Sequence, residues 1–69
     1  MPLSMVKVGD SGRIKAVNGK DETRRFLENL GFTPGAEVTV VSRIAGNLIV
    51  NIKETRVAID RKMAGRILV

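Results

Sequence analysis

Leu30-Gly31-Phe32-Thr33-Pro34-Gly35 separates a helical pattern from a strand pattern, and its reading fixes the local course of the chain. Gly31 fits the position just past a helix end, where the backbone turns left-handed and a side chain is unwelcome. Phe32 then follows as the next residue out, and Leu27 lies three positions inside the helix, the spacing at which two apolar side chains close such a stop. Pro34 presets φ for a turn, and Gly35 tolerates a positive φ at the next position. The chain therefore ends a helix, reverses and starts a strand within six residues.

Upstream, Asp21 to Leu30 reads as a short helix. Asp21 is the expected N-cap, its carboxylate accepting an orphan amide of the first turn. Glu22 adds negative charge where the helix dipole favours it. Phe26, Leu27 and Leu30 are expected on one face, docked on a sheet, with both phenylalanines in the core. Arg24 and Arg25 point elsewhere, and Arg24 reaches Glu28 four residues on. Before the helix, Gly9-Asp10-Ser11-Gly12 reads as a turn and Arg13-Ile14-Lys15-Ala16 as a strand, ended by Asn18-Gly19.

Downstream, Ala36 to Ile44 is rich in β-branched residues. Ala45-Gly46-Asn47 reads as a tight reversal with a Gly-Asn corner. Leu48 to Lys53 alternates, with Leu48, Val50 and Ile52 on one face. Glu54-Thr55 reads as a turn, Arg56 to Asp60 as a strand with Val57 and Ile59 inward, and Arg61 to Ala64 as one helical turn. Gly65 releases it, and Arg66 to Val69 forms a last strand. Val41 and Ile49 fall on the face opposite the inward set. The order is strand, helix, three strands, helical turn, strand: a mainly β (α+β) chain of five to six short strands. Such strands with tight turns suggest a small barrel, its one helix plugging an open end.

The 69 residues make a single domain, 1–69, with no internal repeat or linker. A core this small supplies only about 3–5 kcal/mol of net stability unless something staples it. There is no cysteine and no histidine. Disulfides are therefore excluded, and a closed zinc site loses its usual thiolate and imidazole ligands. The usual general base and thiol nucleophile are missing too, which argues against an enzyme. Ser4, Ser11 and Ser42 have no base to activate them. The seven acids are scattered without a calcium-loop pattern. The glycine turns lack the spacing of a phosphate loop. No cofactor is expected. The N-terminal residues do not read as a signal peptide, and no apolar run approaches the ~20 residues that cross a bilayer, so no membrane insertion of its own is expected. The net charge of +5 admits nucleic acid, an acidic protein surface or anionic lipid as partner. With only Phe26 and Phe32 as aromatics, stacking platforms for nucleic acid are poorly supplied.

Leu27-Glu28-Asn29-Leu30-Gly31-Phe32-Thr33-Pro34-Gly35 resembles the leucine-x-x-leucine-glycine-hydrophobic-x-proline-glycine pattern of the ferrous iron transport protein A (FeoA) family. Gly46-Asn47-Leu48-Ile49-Val50 with Arg56-Val57-Ala58-Ile59, and the ending Ala64-Gly65-Arg66-Ile67-Leu68-Val69, extend the resemblance over nearly the whole chain. Two departures stand out. Many members have a longer, proline-bearing loop where this chain has Ala45-Gly46-Asn47, and many carry a basic residue at the place of Phe26. The resemblance implies an SH3-like barrel, cytoplasmic and non-enzymatic, linked to bacterial ferrous iron uptake. The partner it implies is the membrane permease FeoB, which carries a cytoplasmic G-protein domain. The same fold serves as a C-terminal module of iron-dependent repressors. The docking mode expected is a groove beside the helix that receives a segment of the permease. Leu27, Leu30 and Phe32 would wall it by packing, and Arg24, Arg25 and Arg43 would supply charge complementarity, which acts on association rate more than affinity. The alternatives are a nucleic-acid-binding small β-barrel and a regulatory module like the repressors' C-terminal domain.

Overall fold

The computed structural model describes residues 1–69. Six strands and two helices follow one another: β1 (Ser11–Arg13), β2 (Ala16–Val17), α1 (Asp21–Asn29), β3 (Glu37–Ile44), β4 (Asn47–Ile52), β5 (Thr55–Asp60), α2 (Arg61–Ala64) and β6 (Ile67–Leu68). A 3₁₀ turn at Leu3–Met5 precedes them. All pairings are antiparallel. One sheet has the order β1-β3-β4-β5 and the other pairs β2 with β6. The fold is mainly β with one short helix of more than a single turn, as the sequence predicts. The ladders form two sheets rather than one closed ring, and β5 is left as an outer strand.

The two sheets share one stretch of chain. Ile14 N–H donates to Ala36 C=O at 2.8 Å, and Lys15 N–H donates to Leu68 C=O at 2.7 Å. The alternating run 13–16 is thus not a single strand but a bend where the chain changes partner. Ser11 and Gly12, expected in a turn, pair with Thr39 and Val38. Gly12 belongs there because Val69 crosses it closely: a Cβ on Gly12 would lie 3.0 Å from the Val69 Cβ.

The helix stop forms as its spacing predicts. Phe32 N–H donates to Leu27 C=O (3.0 Å) and Gly31 N–H to Glu28 C=O (2.9 Å), the paired bonds of a Schellman stop, with Gly31 at φ +109°. Ala36 N–H then donates to Thr33 C=O (3.0 Å) across Pro34-Gly35, with Gly35 at φ +89°. The helix start differs from expectation. Lys20 occupies the cap position without a side-chain bond, and Asp21 is the first helical residue. Its carboxylate instead accepts from Arg24 Nη2 at 3.0 Å.

The two hairpins turn one residue earlier than their sequences suggest. Ala45 (φ 50°) and Gly46 (φ 84°) form the first corner, which leaves Asn47 in β4. Lys53 (φ 48°) and Glu54 (φ 66°) form the second, which leaves Thr55 in β5. Both corners hold two consecutive left-handed residues, the geometry that matches the twist of the flanking strands.

The core comprises thirteen buried side chains, all hydrophobic. Leu48, Val50, Ile52, Ile59, Val38 and Val40 supply the sheet side, as their alternation predicts, and Val57 is half-buried. Val41 and Ile49 are half-buried on the other side. Leu3 and Val6 also enter the core, because the N-terminal segment lies along β6: Val69 N–H donates to Met1 C=O at 2.8 Å and Pro2 bridges to Leu68. Phe26 does not enter it. The stripe that α1 turns inward is Thr23, Leu27 and Leu30, so Phe26 stays 53% exposed.

Candidate docking surface

The residues expected to meet a partner divide into three groups. Leu27 and Phe32 are sealed in the core with no exposed surface. They hold α1 and its stop in place from beneath and touch nothing outside the chain, which corrects their placement on a groove wall. Leu30 is half-buried against the same core. Arg24 and Arg25 are exposed on α1. Arg24 bridges Asp21 (3.0 Å) and Glu28 (3.8 Å), pairs exposed enough to contribute about 0–1 kcal/mol each. Arg25 forms no ion pair or hydrogen bond and projects its charge freely. Beside it, Phe26 presents an apolar ring to solvent.

Arg43 serves a different purpose from the one its sequence position suggests. Val40 pairs with Val50 and Ser42 with Ile49, so Val41 is an extra residue, a β-bulge. Beyond the bulge the side chains exchange faces, and Arg43 pairs with the inward Leu48. Its Nη2 donates at 2.7 Å to both Ser4 C=O and Val6 C=O. Arg43 is thus a brace for the N-terminal segment, on another element from Arg24 and Arg25. The bulge could not be read from a run of β-branched residues, and the brace depends on it.

Two hollows mark the surface, and neither is lined by an expected site residue. The larger, about 480 Å³, lies where the two chain ends meet, between Met1, Met5, Val69 and the Ser11-Gly12 backbone. Met1 and Met5 are 62% and 67% exposed. The smaller, about 200 Å³, lies between Thr23 of α1 and the α2 region, with Asp60, Lys62 and Arg66 around it. No three acidic side chains converge anywhere, and no helix is long and apolar enough to cross a membrane.

The family model of the FeoA domain matches residues 1–69. The chain belongs to the FeoA family. A crystal structure of the iron uptake regulatory protein FeoA superimposes with a TM-score of 0.89 at 32% identity, over 97% of this chain and 91% of that one. FeoA of Stenotrophomonas maltophilia, solved in complex with zinc as a procaryotic SH3 domain protein, matches at TM-score 0.87 and 30% identity, over 99% and 87%. FeoA of Chlorobium tepidum matches at TM-score 0.90 and 28% identity, over 99% and 67%. The fold of this FeoA-family chain is SH3-like. A manganese-dependent transcriptional repressor shares the fold at 21% identity, over 97% of this chain and 39% of its own. Among curated proteins no sequence matches the chain.

Proposed function

We propose that this FeoA-family chain is a non-enzymatic accessory protein of ferrous iron uptake, working at the cytoplasmic side by docking on a FeoB-type permease. The observation that carries the proposal is the family match along all 69 residues. The contact surface proposed is the outer side of α1. Arg24 and Arg25 steer it to an acidic surface, exposed Phe26 supplies the apolar anchor, and Leu30 borders it. Leu27 and Phe32 fix that surface from within, and Arg43 keeps the N-terminal segment in place. Phe26 is well suited to the anchor role because an exposed aromatic on a helix contributes nothing to the core.

A pull-down with the permease's cytoplasmic domain tests the proposal. Association is expected at low salt, where exposed charges act over the longest range, and it should weaken in Arg25→Glu and Phe26→Ala. No association at low salt overturns the partner. Undiminished association of both variants overturns the surface and leaves the partner standing. A gel shift with oligonucleotides is the companion measurement. Retardation that falls steeply with salt would favour the nucleic-acid reading instead.

A further inference from the structure

The outer edge of β5 carries a pattern that none of the preceding structure uses. Ile52 and Thr55 flank a two-residue corner, which makes them a mutually hydrogen-bonded pair, and the alternation continues through Val50–Val57 and Leu48–Ile59. Thr55, Val57 and Ile59 therefore spend their amides and carbonyls on β4. Arg56 and Ala58 turn both of theirs away from the sheet, Asp60 turns its N–H away while its C=O begins α2, and β5 has no other strand beside it. All three side chains are exposed. The edge is a regular six-residue strand without a proline, a bulge or an inward-pointing charge; of the features that normally blunt an open edge it carries only exposed charges, Arg56 and Asp60, which are of opposite sign.

Charge is arranged around Ala58 with opposite sign at equal distance. Arg56 lies two residues before it and Asp60 two after; Glu54 lies four before and Lys62 four after. The strand that completes this pattern is the same strand run in the opposite direction. We propose that β5 pairs antiparallel with β5 of a second copy of this chain, about a two-fold axis at Ala58, joining two four-stranded sheets edge to edge.

The register follows from the free groups. Ala58 faces its own copy, and Arg56 faces Asp60 of the other strand, twice by symmetry. The Ala58 pair can therefore exchange both hydrogen bonds, and in each Arg56–Asp60 pair the outward Asp60 N–H donates to Arg56 C=O while the Asp60 carbonyl stays with α2. The small side chain at the axis lets the strands approach, and Val57 faces Ile59 on the inner side. The charged groups are available. Asp60 Oδ1 caps α2 by accepting from Met63 N–H at 2.7 Å, which leaves its other oxygen free. Arg56 engages only Nε, with Asn51 Oδ1 at 3.3 Å, which leaves both terminal nitrogens free. A foreign peptide could use the backbone edge but would not supply this charge order except by coincidence. One added strand pair is smaller than the ~1,200 Å² of a typical stable interface, so the dimer is reversible and forms at high protein concentration.

Sedimentation equilibrium on the full chain, from micromolar to millimolar, tests the proposal together with amide hydrogen exchange. The expected result is a monomer–dimer equilibrium, with exchange at Ala58 and Asp60 slowing as concentration rises. Arg56→Asp sets acids against acids in both pairs and should weaken dimerisation by about tenfold or more, while the dilute variant keeps the far-UV spectrum of the folded protein. A monomer at every concentration, protection that appears elsewhere, or equal dimerisation of Arg56→Asp overturns it.

Discussion

Gly31 sits at φ +109° with room around it: an added Cβ would meet Ile52 Cγ1 at 3.4 Å and Lys53 Cδ at 3.5 Å, ordinary contacts. The demand for glycine there is thus a backbone demand. Gly31→Val should lower stability by about 1–3 kcal/mol, the usual cost of a strained φ, with thermal melts as the measurement; a loss below that range would mean the helix exit tolerates a branched side chain. This requirement was legible in the sequence because it is local, set by a helix end and the next turn. Phe26 was not legible in the same way. It and Leu27 are neighbours on a helix, about 100° apart, and which of them faces inward depends on how the sheet rotates α1. Thr23, polar by type but small, took the third place in the inward stripe.

At the scale of elements, the two helices start differently. α2 has a side-chain cap, Asp60 to Met63 N–H, and α1 has none. Lys20 already has the extended backbone of a cap, at φ −66° and ψ 156°. Lys20→Ser should therefore stabilise the protein by about 1 kcal/mol, and Asp60→Ala should cost about the same. Urea midpoints of the two variants should move in opposite directions. The strands and their inward faces were readable because alternation is a short-range signal. The corner at Lys53-Glu54 was not, since neither residue has a turn preference and the left-handed pair is imposed by β4 and β5 closing on each other. The bracing role of Arg43 was hidden for a related reason: one bulge residue, Val41, reverses the faces of the remainder of β3.

For the molecule as a whole, what escaped the sequence is what joins distant parts of it. The N-terminal segment has no period to recognise, yet Leu3 is fully buried and the segment is bonded to β6 and braced by Arg43. Leu3→Ala should cost about 2–5 kcal/mol, as for any large core side chain. In a domain of this size that approaches the entire net stability, so the far-UV signal of the variant should already be partly lost at room temperature. The site was legible to the extent that its residues lie on α1; the division into a charged outer side and sealed supports follows from how the sheet rotates α1, which no local pattern encodes.

Val69 N–H donates to Met1 C=O across 68 positions of sequence. Start and finish of the chain being neighbours, the order in which the polypeptide is written is separable from the shape it takes. A circular permutant, opened between Ala45 and Gly46 and sealed by a short flexible join between the old ends, should reach the same architecture. By the same geometry, such a unit can be spliced into a loop of a larger host without pulling that loop apart.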